Sequence, residues 1–231
     1  KKDQVQEQWF TVTAELLEGK LNKEMGYLDL SKLWLTAVPE ICKLMKPEDL
    51  TVIQIINLAQ NRIRIVEQDL SCLTNLRVLK MSANEIRVVV RLGSLPALQE
   101  LLLHKNNIEN IEKLIGMDLP ALEKLNLAYN KLKEIDSLGK LTNLIVLELQ
   151  HNVLEKLVGV ENLKKLEELK LEFNKLKDLP FLEQLEKLQS ITTEWNELQA
   201  TIESKIKELQ DKFNKMKNGA QGGDVVPYEG Q

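Results

Sequence analysis

Apolar residues recur along this chain in one template, Leu-x-Leu-x-x-Asn-x-Leu. It reads INLAQNRI around Asn61, LKMSANEI around Asn84, LLLHKNNI around Asn106 and LNLAYNKL around Asn130, then LELQHNVL around Asn152, LKLEFNKL around Asn174 and ITTEWNEL around Asn196. The asparagines are separated by 23, 22, 24, 22, 22 and 22 residues, a period and not a by-product of leucine-rich composition. Alternate leucines predict a short strand with one buried side, each strand pairing in parallel with the next at about 4.8 Å. The asparagine after it predicts a turn, because its amide both donates to carbonyls and accepts from a backbone N–H inside the stack. Leu154, Leu157, Val160, Leu163 and Leu166 follow at threefold spacing, so the return leg is expected to consist of short helical or 3₁₀ turns. One such coil cannot bury its own apolar side, so the coils must stack.

The ends depart from the template. Residues 1–27 are read as an N-terminal capping helix: Val5, Trp9, Val12, Leu16 and Leu17 recur at helical spacing within residues 3–23. The repeat domain spans residues 28–198, about eight coils. In its first coil, YLDLSKLWLTAVPEI, Leu33 takes the place of the asparagine, and an irregular insert passes through Pro39 and Pro47 before Ile56. Residues 199–217 are read as a C-terminal amphipathic helix on Ile202, Ile206, Leu209, Phe213 and Met216. Its first part is expected to cap the last coil and the remainder to project, with Lys205, Lys207, Lys212, Lys215 and Lys217 solvated or facing an acidic partner. Residues 218–231 show no apolar period and are read as a flexible tail.

Over residues 28–198 the chain resembles the leucine-rich-repeat superfamily, and within it the 22-residue class typified by the nuclear regulatory subunit of type 1 protein phosphatase, with the bacterial internalins as a neighbouring group. The resemblance implies an α/β solenoid, a right-handed stack with a parallel concave sheet and a convex side of short helical or 3₁₀ turns. In that class acidic and aromatic concave residues hold the phosphatase catalytic subunit. Glu148, Phe173 and Trp195 are of those types.

The position before each asparagine is read as facing the concave surface, with Phe173 on the strand phase that faces away from Leu169 and Leu171. Down the stack it carries Gln60, Ala83, Lys105, Tyr129, His151, Phe173 and Trp195. The last four form a column about 14 Å long. With aromatics at 4% of the chain, gathering three of them and a histidine in one column points either to mutual stacking or to a partner anchor. Glu148, Glu168, Glu172 and Glu194 beside it outnumber Lys124 and Lys170, so an acidic surround is expected. The partner that fits is a protein segment with basic and apolar anchors.

Composition narrows the rest. With 231 residues, 43% hydrophobic and 29% charged, the chain supports a packed domain. Its net charge of -4 argues against nucleic acid or an anionic membrane as partner, although every arginine lies between Arg62 and Arg91. No apolar run reaches membrane-spanning length, and no signal peptide is recognised in a chain that starts at Lys1. Cys42 and Cys72 read as isolated residues with neither metal-ligand nor disulfide spacing, which favours a reducing, cytoplasmic setting, with cytoskeletal, ciliary or nuclear placement also compatible. No cofactor or metal is expected. His104 and His151 belong to coils two rungs apart, about 10 Å, too far for one metal, and Ser82 one coil before His104 lacks an orienting carboxylate and an oxyanion hole.

Three functional readings follow: a non-catalytic regulatory adaptor gripping a protein on its concave face, a structural subunit of an axonemal or microtubule-associated assembly, and a phosphatase regulator. In each the chain is a monomer within a larger complex.

Overall fold

The computed structural model describes residues 12–220 apart from Gly116 and Ser137. Among them, nine strands form one sheet: β1 (Leu21–Asn22), β2 (Tyr27–Asp29), β3 (Ile55–Asn57), β4 (Val78–Lys80), β5 (Glu100–Leu102), β6 (Lys124–Asn126), β7 (Val146–Glu148), β8 (Glu168–Lys170) and β9 (Ser190–Thr192). Their order across the sheet is their order along the chain. From β2 onward every pairing is parallel, and the repeat sets the register: Leu125, Leu147, Leu169 and Ile191 lie directly opposite one another.

Each coil sends its leucines inward. Leu147 and Leu149 from the strand and Leu154, Leu157, Val160, Leu163 and Leu166 from the return leg are all buried. Burying a side chain of this size stabilises by about 1.5–3 kcal/mol, so the continuous leucine core dominates the favourable side of folding. The return legs carry the expected 3₁₀ turns at Leu138–Lys140, Val160–Asn162 and Leu182–Gln184 and a four-residue helix at Glu112–Ile115. They also hold a feature the spacing does not announce. Ile65–Val66 pairs in parallel with Val88–Val89, and Glu134–Ile135 with Lys156–Leu157, adding short ladders to that side.

The asparagines bind coil to coil. Asn152 Nδ2 donates to the carbonyl of Leu149 in its own coil (2.9 Å) and to that of Leu127 in the coil before (3.0 Å), while its Oδ1 accepts from Leu132 N–H (3.0 Å). Asn130 and Asn174 repeat the same three contacts. Where Leu33 replaces the asparagine, Asn61 of the next coil compensates: its Oδ1 accepts from both Leu33 N–H and Leu35 N–H at 3.0 Å.

The N-terminal cap differs from the single helix expected through residue 23. Val5 and Trp9 lie outside the described residues. Helix α1 covers Ala14–Lys20, capped by the Thr13 side chain accepting from Leu16 N–H, and it buries Leu17. The chain then turns back, so that β1 runs antiparallel to β2, with Leu21 opposite Leu28. Asn22 Oδ1 accepts from Met25 N–H in that turn, and Gly26 adopts φ +60°, where an added Cβ would collide with the Val52 carbonyl. Lys23 forms an ion pair with buried Asp49, fastening the turn to the insert. The insert itself is helical over α2 (Ile41–Leu44) and α3 (Pro47–Val52), and its Val38, Ile41, Met45 and Ile53 join the core.

The cysteines also correct the expectation. Cys42 in α2 and Cys72 after β3 form a disulfide, Cα–Cα 5.8 Å, closing a loop of sequence separation 30. They read as isolated in sequence because Cys42 sits in the aperiodic insert, whose α2 lies beside the following coil.

At the other end, α4 is the return-leg helix Glu112–Ile115 and α5 runs Ala200–Ala220, three residues longer than read at its C-terminus. Ile206 and Phe213 are buried, Ile202 and Leu209 pack against the core, and Gln210 Nε2 donates to the Ile191 carbonyl of β9. Lys205 pairs with Glu183. Capping therefore extends along the helix to Phe213, and Met216 beyond it is exposed. Of the tail read at 218–231, residues 221–231 lie outside the described residues.

Two consequences are measurable. Asn152→Leu is expected to lower stability by about 1–3 kcal/mol in chemical denaturation, because it strands buried carbonyls and an N–H at the coil junction. Cys42→Ser/Cys72→Ser is expected to lower the denaturation midpoint, links of this loop size contributing about 2–4 kcal/mol, and to abolish any response of the melt to added reductant.

Candidate functional site

The site begins with a backbone conformation. Gln60, Ala83, Lys105, Tyr129, His151, Phe173 and Trp195 all have φ between +53° and +61°. For residues with a Cβ this left-handed region costs about 1–2 kcal/mol each, and it is adopted here in coil after coil. These residues stand three positions beyond the last strand residue, not on the strand. Strict alternation from Leu169 and Leu171 would in fact bury Phe173 and expose Asn174. The left-handed residue reverses that phase, so the ring turns outward and the asparagine inward. The turn nevertheless stays laddered to its neighbours: Tyr129 N–H donates to Gln150 O, His151 N–H to Glu172 O and Phe173 N–H to Glu194 O, each at 2.9 Å.

The rung spacing then stacks the rings. Tyr129 and His151 lie 4.1 Å apart between centroids with planes 14° apart, His151 and Phe173 4.2 Å and 10°, and Phe173 and Trp195 5.7 Å and 12°. Tyr129 is 46% exposed, Phe173 44% and Trp195 74%. Lys105 places its ammonium 5.8 Å from the Tyr129 centroid, so a cation covers the first ring of the stack. Because the rings face one another, the column presents mainly ring edges to solvent.

The charges beside the column are less uniformly acidic than their count suggests. Glu148 is almost buried; it accepts from Asn126 Nδ2 at 2.7 Å and lies 3.3 Å from Lys124 and 3.9 Å from Lys170. Glu168 pairs with Lys170 at 2.8 Å, and that hydrogen bond is the main cause that raises the Lys170 pKa. Glu172 and Glu194 have no cationic partner among the described residues, so the acidic character concentrates at the C-terminal end. The buried oxygens Gln150 Oε1, Glu172 Oε2 and Thr192 Oγ1 beside the column lack hydrogen-bond partners.

Sequence reasoning missed the Trp34–Arg62 pair and the partial burial of His104. Trp34, 68% exposed and also left-handed at φ +58°, lies under the guanidinium of Arg62 at 4.4 Å. The signal was present: Trp34 and Arg62 both follow the asparagine position of their coils by one residue. His104, two residues before Asn106, is half-buried with Nδ1 unpartnered. Burial pushes its pKa below the ordinary imidazole range, while Glu148 pulls it upward and Lys105 and Lys124 push it down.

A family model described as leucine rich repeat matches residues 96–154. Over 120 residues the chain is 36% identical to the geranylgeranyl transferase type-2 subunit alpha of Rattus norvegicus, covering 51% of this chain and 20% of that protein. Over 138 residues it is 28% identical to Toll-like receptor 1 of Homo sapiens, covering 57% of this chain and 17% of that protein. The chain therefore spans a fifth or less of the length of these relatives. Among solved structures it is similar to the TLR13-ssRNA13 complex, with a TM-score of 0.57 and 23% identity over 81% of this chain and 31% of the other. Likeness at that identity concerns the fold.

His104 makes the face sensitive to acid. Burial in the folded chain disfavours the charged imidazole, whereas the unfolded chain takes up a proton near the ordinary value, about 6.5. Its contribution to stability is therefore full above that value and is lost as pH falls through the lower folded value. His104→Gln is expected to lose less melting temperature than the parent between about pH 7.5 and about pH 5, read by thermal denaturation in matched buffers.

Proposed function

The chain is a leucine-rich-repeat protein, and from that premise we propose that it is a non-catalytic interaction module whose aromatic column at Tyr129, His151, Phe173 and Trp195 holds a protein partner. The fold supports protein interaction in general, since stacked coils offer an extended, rigid surface. The observation that carries the narrower reading is the exposure of three large rings in a sequence with 4% aromatics. Such residues dominate binding hot spots and contribute little to a core they do not enter. Stacking among the rings, worth roughly 0.5–1.5 kcal/mol per pair, also pre-organises them, so a partner would not have to order them on arrival.

The partner expected is a protein segment with apolar groups for the ring edges and positive charge toward Glu172 and Glu194. Glu148 and Glu168 serve the surface by holding Lys124 and Lys170 in place. The RNA named with TLR13 is not carried over: a net charge of -4 and a column bordered by carboxylates disfavour a polyanion. The Cys42–Cys72 link favours an oxidising compartment, which removes support from the cytoplasmic, ciliary and nuclear settings and from the axonemal and phosphatase readings tied to them.

The test is affinity capture with the parent and with Phe173→Ala/Trp195→Ala as bait, melting both proteins in parallel. The double variant is expected to lose at least about 2 kcal/mol of binding, a roughly thirtyfold drop in affinity, with little change in melting temperature. Unchanged capture together with a large loss of stability would assign the rings to stacking alone.

A further inference from the structure

The aromatic stack has two ends, and they differ. At the first, Lys105 covers the outer face of Tyr129. At the last, Trp195 meets Phe173 on one side, and no ring or cation among the described residues covers the other. Trp195, the most exposed residue of the column, also lines a concavity of about 200 Å³ together with Glu194, Leu198, Glu203, Ile206 and Gln210, between the last coil and α5.

We infer that the free face of Trp195, flanked by Glu194 and Glu203, receives one arginine side chain of the protein partner. The inference rests on the column reading above and names the group that reads its end. An indole face carries the negative lobe of the ring quadrupole and attracts a cation. Glu194 and Glu203 are exposed and have no cationic partner among the described residues, so both carboxylates are available to the same ligand. Glu194 Oε2 accepts from Thr193 N–H at 3.1 Å, which holds that carboxylate at the last coil while leaving its charge unpaired.

Arginine fits better than lysine for a geometric reason. A planar guanidinium can lie flat on the indole while its edge N–H groups donate to a carboxylate, two contacts that a compact ammonium cannot make together. The chain already shows the stacking half of this arrangement, with the Arg62 guanidinium 4.4 Å from the Trp34 centroid. The lining of the concavity is mainly polar, and Leu198 and Ile206 within it offer apolar contact to the methylene stem.

The experiment follows the indole N–H signal of Trp195 by NMR in the intact protein, assigned by its disappearance in Trp195→Phe. The probe is N-acetyl-arginine amide, with the lysine and citrulline analogues as comparisons. Saturable movement of this signal is expected on the order of millimolar arginine probe, weaker with lysine and absent with citrulline, and Glu194→Gln/Glu203→Gln is expected to weaken it about fivefold. No saturable movement, an equal response to citrulline or to lysine, or indifference to the glutamine changes would overturn the inference. The capture assay separates its failure from that of the column. Capture lost by Phe173→Ala but intact in Glu194→Gln/Glu203→Gln would leave the column as the grip and reject the arginine. Capture indifferent to both variants would reject both.

Discussion

The structure depends on one constraint: backbone groups that leave the strand inside a stack of coils have no water to bond, so each must find a partner in the next coil. The asparagine amide supplies it. A single side chain bonds one carbonyl of its own coil and one carbonyl and one N–H of the coil before, and its repetition lets a chain with three-residue strands keep a long buried core. A leucine at such a position would match the volume and leave those groups unpaired, which explains why Leu33 appears in the first coil, where Asn61 bonds the exposed groups from one side.

The same constraint produces the surface. To bring the asparagine inward directly after a buried leucine and an outward residue, the backbone must change hand for one residue. That residue is then forced outward, whatever its chemistry. Large rings placed there cannot enter the core, and the coil spacing brings them close to the separation at which aromatic faces stack. The column is thus a by-product of core geometry that this sequence fills with Tyr129, His151, Phe173 and Trp195 in place of the smaller Gln60 and Ala83 of earlier coils. Position comes from the scaffold, and chemistry from the residue chosen.

The ends solve the problem that stacking leaves. A terminal coil has one apolar face without a neighbour. At the start, α1, the antiparallel β1 and the insert close it, the last tied by the Cys42–Cys72 link. At the finish α5 lies across β9, and its packing shapes the concavity beside Trp195. The cap and the last ring therefore form one surface. Charge follows the same gradient, because Glu148 and Glu168 are neutralised within the sheet face while Glu172, Glu194 and Glu203 are not.

Periodicity alone determined the solenoid, the strand register, the buried leucines, the asparagine ladder and which residues form the column, because each depends on contacts repeated at a constant offset along the chain. Tertiary structure decided what has no period. The antiparallel turn at Gly26, the meeting of Cys42 with Cys72 and the extent of α5 capping arise from segments that stand outside the repeat. The outward aim of Phe173 belongs to both. Its place in the repeat was legible, but strand alternation is the wrong reason for its exposure, and the left-handed turn that turns it out is visible only in the backbone.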